Sequence, residues 1–181
     1  MYGNPDWETA AKRLTAFWHK EIIDRPCLQV FTYEDNASPI GTEEVNPKKY
    51  WTDPMEFWQK NRRYYKNIRN YGEAVFVLYP NAEHVAAAMG SIPEYAPETI
   101  WIKKTPGDIT DLDFSHVTPE HEIIREMADY FDKLCQYADK ECFIGFPHMG
   151  NTGDTLACMR GYENLCLDLY DNPDKCFALE E

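Results

Sequence analysis

The chain contains no run of about 18 apolar residues, so no membrane span is expected. Its opening stretch, MYGNPDWETAAKRL, lacks the apolar core of a secretory signal. Positive charge is scarce: 18 Lys and Arg stand against 31 Asp and Glu, a formal charge of -13. That balance argues against a protein that wraps nucleic acid or an anionic membrane. No Cys-x-x-Cys pair occurs among Cys27, Cys135, Cys142, Cys158, Cys166 and Cys176. Without that spacing or a secretory signal, they are expected to be reduced, mostly buried thiols in a cytoplasmic protein, and no metal ligands are assigned. Internal repeats and low-complexity tracts are also missing. What is present is 44% hydrophobic and 14% aromatic content over 181 residues. That is enough apolar surface for one ordered domain, residues 1–181.

Strands and helices alternate along the chain. Asn4-Pro5 is expected to cap a first helix with Trp7, Ala10, Ala11, Leu14, Phe17 and Trp18 on its apolar face. Cys27 to Tyr33 reads as a strand, and Glu34 to Tyr50 as a long loop suited to a lid or a subunit contact. Asp53-Pro54-Met55-Glu56 carries an N-cap, a proline at the first helical position and an acid at the third. Its helix is expected to run to about Tyr71 and stop at Gly72. Ala74 to Tyr79 reads as a second strand, and Ala82 to Met89 as a small helix. Glu98 to Lys103 is an extended piece, a third strand or half of a hairpin. A long helix follows Thr118-Pro119-Glu120, with Ile123, Ile124, Met127, Phe131, Leu134 and Cys135 inward. Phe143 to Phe146 is the next strand. Short, nearly all-apolar strands alternating with helices predict an α/β fold with a parallel sheet covered on both faces.

Ligands in such folds sit at the C-terminal ends of the strands. That rule selects Thr32, Tyr33 and Glu34 after the first strand, Tyr79, Pro80 and Asn81 after the second, and His148, Met149, Asn151 and Asp154 after the last. His148 is the best catalytic candidate, because imidazole can serve as acid, base or ligand near neutral pH. Gly150 and Gly153 let backbone amides approach a ligand closely. Asp154 reads either as a site residue or as a helix N-cap. The other histidines read as structural: His84 on its small helix, His19 at a helix end, and His116 and His121 as a poor metal pair. Lys48 to Arg69 holds seven basic residues against two acids. It reads as a solvated helix face, with an anion or partner surface as the alternative.

Four stretches carry a family resemblance: HKEIIDRPCLQV, VLYPNAEHVAAAMGS, PETIWIK and IGFPHMGNTGDTLACMRGYENLCLDLYDNPD. Over residues 7–178 the chain resembles the N-terminal half of the uroporphyrinogen decarboxylase superfamily, which also contains the methylcobamide methyltransferases serving coenzyme M and related acceptors. The resemblance implies the N-terminal half of a (β/α)8 TIM-type barrel, about four parallel strands with flanking helices. A whole barrel takes about 250 residues. Tyr79, Asn81, His148, Asn151 and Asp154 would line half of its mouth and bind the substrate or a corrinoid.

The decarboxylase pattern is broken at three places. Arg25 is the one arginine where those enzymes have an arginine-rich segment. Asn81 stands where they carry an aspartate that binds pyrrole N–H groups, and an amide supplies no fixed negative charge. Leu156-Ala157-Cys158-Met159 holds no tyrosine where they have one. Corrinoid-linked methyl transfer is therefore the expected branch. Its zinc, bound through a His-x-Cys pair and a later Cys, would need ligands from a second half. The chain alone is expected to be inactive, with a small molecule or corrinoid as ligand. As partner, a second copy or a complementing half is expected. The rival expectation is a non-catalytic half-barrel that self-associates or pairs with a second chain. An unrelated complete α/β domain is a third.

Overall fold

The computed structural model describes residues 3–33, 46–80, 84–105, 107–146 and 152–179. The chain divides into two compact units: residues 1–80 with 131–146, and residues 81–130 with 147–181.

In the first unit, α1 (Trp7–Trp18) has Asp6 at its N-cap with no side-chain cap bond. The expected cap, Asn4, does something else. Its amide donates to the carbonyls of Gly72 (2.9 Å) and Ala74 (2.7 Å), and its Oδ1 accepts from the Asp6 N–H (2.9 Å). It is a buried clamp between the start of the chain and the segment before the parallel sheet. The inward face of α1 is also narrower than expected. Ala10 and Ala16 are buried, whereas Phe17 and Trp18 are exposed.

The first strand, β1 (Gln29–Tyr33), departs further from expectation. It is exposed along its length and pairs antiparallel with β2 (Ile68–Gly72), Gln29 opposite Gly72 and Tyr33 opposite Ile68. Residues 68–72 were expected to be the last turn of a helix. The register to β1 takes them instead, because ladder hydrogen bonds across two strands outweigh local helix propensity. Gly72 closes the ribbon at φ +64, where a Cβ would run into the Leu28 carbonyl.

Helices α2 (Pro47–Thr52) and α3 (Pro54–Tyr65) start as their caps dictate. Asn46 accepts from the Lys49 N–H, and Asp53 accepts from the N–H groups of Met55 (2.9 Å) and Glu56 (3.1 Å). Together they bury Tyr50, Trp51 and Phe57, whose rings lie 4.7–5.8 Å apart by centroid. Burying each such ring contributes about 2 kcal/mol. The Asn61 amide reaches the Tyr50 hydroxyl (3.1 Å), so the polar tip of that cluster is satisfied. On the basic segment, Lys49 pairs with Glu56 and Arg62 with Glu141.

The parallel sheet is β3 (Val77–Leu78) beside β6 (Phe143–Ile144), Val77 opposite Phe143 and Leu78 opposite Ile144. The ladder continues as Phe143 N–H donates to the Phe76 carbonyl (2.9 Å) and Gly145 N–H to the Leu78 carbonyl (2.8 Å). Between these strands in the chain lies α5 (Glu122–Ala138), whose first half belongs to the second unit and whose last turns belong to the first. Tyr130, Leu134 and Ala138 are its buried line, four residues apart. Cys135, expected inward, is exposed, being one position off that line.

In the second unit, α4 (His84–Ala88) precedes a hairpin of β4 (Pro93–Tyr95) and β5 (Ile100–Ile102), which settles the extended piece as half of a hairpin. A 3-10 turn, Ile109–Asp111, is closed by a capping box from Asp108. Then come α6 (Thr152–Arg160), α7 (Tyr162–Asp171) and α8 (Pro173–Ala178). Ile109, Leu156 and Cys176 form the core of this unit, with Leu112, Phe114, Leu165 and Leu179 against it. Of the six cysteines only Cys142 and Cys176 are buried, fewer than expected.

The fold is therefore mixed α/β with a small parallel sheet. Among the described residues that sheet is one pair of strands, not four, and the other two pairs are antiparallel. No helix among the described residues is long and apolar enough to cross a membrane.

Candidate functional site

Two parallel strands place their C-terminal ends on one edge. Tyr79 and Pro80 leave β3 there, and Gly145 and Phe146 leave β6. The Tyr79 ring lies directly over Gly145: a Cβ at that position would collide with the ring. Glycine is thus required by the close approach, and the two strand ends form one aromatic edge. Both rings face solvent, Tyr79 68% and Phe146 77% exposed. Two exposed aromatic side chains on one strand-end edge offer apolar surface to a ligand.

Of the five residues expected at the mouth, Tyr79 is on this edge. Asn81, His148 and Asn151 lie outside the described residues, as do all of residues 147–151. Asp154 is in the second unit, exposed, in the first turn of α6, where a carboxylate complements the helix dipole. It is inside the helix and not its N-cap, which begins one turn earlier than the spacing suggested. No two of the five are juxtaposed within one unit of described residues. The expected cluster after the first strand also dissolves. Thr32 and Tyr33 sit on the antiparallel ribbon, and Glu34 lies outside the described residues.

Of the remaining histidines, His19 is exposed at the end of α1, and the other three are tied to the backbone or half-buried. His116 Nε2 lies 3.1 Å from the Ala88 carbonyl, and His121 Nδ1 accepts from the Ile123 N–H at 3.3 Å. Their rings are 5.9 Å apart by centroid, each tied to the main chain. His84 is half-buried near Tyr130, and its Nδ1 has no partner among the described residues. Burial lowers its pKa, and the charge of Glu126 opposes that shift. Among the described residues no group of three or more His, Cys, Asp or Glu could hold a metal ion.

The most heavily bonded carboxylate was not legible in the sequence. Glu73 is fully buried and accepts from both terminal nitrogens of Arg25 (2.8 Å each), from Arg13 (3.2 Å) and from the Leu28 N–H (2.7 Å). Burial pushes its carboxyl up, and the bonds from Arg25, Leu28 and Arg13 more than reverse this, leaving it below the ordinary range. With every oxygen occupied it is a structural group with no free lone pair for chemistry. The one available signal was an acid set between Gly72 and Ala74 at the entry to an apolar strand.

Comparison with known proteins finds no matching protein family, no matching curated protein and no matching solved structure. The fold defines a mixed α/β protein with a small parallel sheet.

Proposed function

We propose that the chain is the N-terminal part of a uroporphyrinogen decarboxylase-like (β/α)8 barrel enzyme acting in corrinoid-dependent methyl transfer. In this reading β3, α5 and β6 form one βα repeat of that barrel, and the Tyr79–Phe146 edge is part of its mouth. The observation that carries it is the parallel register Val77 to Phe143, with Tyr79 laid over Gly145 at the C-terminal end. That is the end where parallel α/β folds bind ligands. The resemblance in the quoted stretches supplies the ligand class.

A corrinoid fits the edge on one point: a broad flat macrocycle is complementary to two exposed aromatic faces. Tyr79 and Phe146 would hold it by stacking, and the resemblance gives Asn81 and Asn151 of the second unit a ligand-binding role. When bound, the corrinoid supplies the cobalt that carries the methyl group. His148 is assigned proton transfer at the acceptor. Asp154 is assigned to the substrate-binding set. Zinc does not fit the described residues, and no step is routed through it. The isolated chain is expected to bind without appreciable turnover.

A second reading, a non-catalytic module that self-associates, is favoured by a separate observation. Val30 and Phe31 are exposed on β1, and Phe17, Trp18, Ile22 and Ile23 are exposed at the end of α1 and in the segment that follows it. An exposed strand whose outer edge has no partner among the described residues favours pairing with another copy.

Native mass spectrometry with and without hydroxocobalamin tests both. The first reading expects one cobamide per chain, lost in Tyr79→Ala with Phe146→Ala. No adduct, or an adduct indifferent to that double change, overturns it. A stable dimer that takes up no cobamide supports the second reading.

A further inference from the structure

The first unit contains a cavity of about 410 Å3 that plays no part in the proposed mouth. Its walls include Phe76 and Cys142, the residues immediately before β3 and β6, so it opens at the N-terminal end of the parallel pair. The Tyr79 edge is at the other end. Its volume falls within the range of small-molecule sites, about 300–1,000 Å3.

The chemistry of the walls is divided. Trp58, Phe76 and Cys142 are buried and form the interior, with Tyr65 beside them. Burial pushes the Cys142 thiol up to about 11, with Glu141 and Cys135 adding to it, and burial likewise raises the Tyr65 phenol. The interior is therefore apolar, aromatic and uncharged at neutral pH. The opening is the reverse. Lys66 and Lys140 are exposed there and have no ion-pair partner among the described residues. Arg62 also lines it, held by Glu141 through two bonds of 2.7 and 2.8 Å. Three cations face one anion at this opening, in a chain whose formal charge is -13.

The turn that brings Lys140 to the opening is itself unusual. Asp139 (φ 25) and Lys140 (φ 66) are consecutive non-glycine residues at positive φ between α5 and β6. Glycine is the unstrained choice there, and a lysine kept in that conformation puts its charge at the cavity in exchange for backbone strain.

We infer that this cavity is a binding site for a small planar aromatic carboxylate, its ring between Trp58 and Phe76 and its anionic group at Lys66 and Lys140. An inorganic anion would leave the aromatic interior unused, and a neutral ring would leave the two lysines unused. The aromatic interior and cationic opening are matched by one molecule that carries both features. The site lies at the opposite strand end from the proposed corrinoid edge, within the first unit.

Calorimetric titration of the whole chain with 2-naphthoate tests the assignment, with 2-naphthylmethylamine as the cationic analogue of the same shape. One naphthoate per chain is expected, with no comparable heat from the amine. Lys66→Glu and Lys140→Glu change exposed side chains, so folding is retained, which circular dichroism checks. Each should weaken naphthoate at least about tenfold. Lys140→Gly sharpens the point: its thermal midpoint should hold or rise as strain is relieved, yet affinity should fall. Absence of naphthoate binding at about 1 mM overturns the inference. So does equal binding of the amine, or affinity unchanged by charge reversal. Tyr79→Ala should leave naphthoate binding intact, which separates this site from the corrinoid edge whatever happens there.

Discussion

Among the described residues each unit buries one carboxylate, and the two are held in different ways. Glu73 in the first unit ties Arg13, Arg25 and the Leu28 backbone, segments 45 to 60 residues away in sequence. Asp168 in the second unit receives a two-point grip from Arg160, eight residues away (2.7 and 3.1 Å). Arg160 also reaches the Gly107 carbonyl, and its main-chain carbonyl accepts from Asn164. Both side chains of that pair are under 10% exposed. The first arrangement stitches α1, the turn before β1 and the end of β2 into one node. The second staples the α6–α7 junction and one neighbouring loop. A charge buried in a node of several segments is harder to replace than a charge buried in a pair.

The largest expected effect follows from that difference. Glu73→Ala leaves Arg25 and the Leu28 N–H facing a buried void, with Arg13 still paired to Asp24. Removing one partner of a buried ion pair costs about 4 kcal/mol, and this one anchors three segments. Urea titration should find the first unit unfolded or nearly so. A change of under about 1 kcal/mol would place Glu73 with surface pairs and end the distinction drawn here. Asp168→Ala comes next, at about 3 kcal/mol, felt in the second unit. The comparison sharpens with a double change. Arg160→Met with Asp168→Leu should recover most of that loss, because an apolar pair can substitute for a buried ion pair. No two-residue exchange can do the same for Glu73, since Arg13, Arg25 and Leu28 N–H would all need new partners. Equal recovery at both sites would dissolve the contrast.

These two carboxylates also mark how far the sequence could be read. The start of α3 was legible because Asp53, Pro54 and Glu56 act through bonds within one turn. The strand Val77–Leu78 was legible within the apolar run Ala74–Tyr79, although it is shorter than that run, and its parallel sense was expected from the alternation of strands and helices. The aromatic edge at Tyr79 was reachable from the rule that ligands meet strand C-termini. The collision that makes Gly145 obligatory was not, because it depends on a ring 66 residues earlier in the chain. The strand Ile68–Gly72 was misread as helix because Arg62 to Tyr71 continues a helical spacing of aromatic and basic residues. Its strand state comes from β1, a partner about 40 residues away. Glu73 and Asp168 stayed hidden for the same reason: a carboxylate carries no local mark of the arginine that will find it. What acts within a turn can be read from the residues, and what depends on distant pairing needs the fold.

The smallest effect separates the units by pH. Glu73 in the first unit is held below its ordinary value of 4.5, and His84 in the second below its ordinary value of 6.5. Both shifts have the same sign, since in each case the unfolded chain binds the proton more tightly than the folded one. Stability is therefore fully present above the unfolded value and is lost as pH falls below it. For His84 the loss begins as pH drops through 6.5, and for Glu73 only as it drops through 4.5. Burial of the neutral imidazole is the cause at His84, and the charge of Glu126 opposes it, so the expected slope is modest. The tryptophans report the units separately. Trp101 is in the second unit, and Trp7, Trp18, Trp51 and Trp58 are in the first. With 5-fluorotryptophan in mild urea, the Trp101 fluorine signal should move toward its unfolded position below pH 6.5, while Trp58 holds until pH falls below 4.5. His84→Gln should flatten the Trp101 response and leave Trp58 unchanged. If Trp101 and Trp58 titrate together in both proteins, the two units share one cooperative transition, and the separate roles given to Glu73 and Asp168 collapse into one.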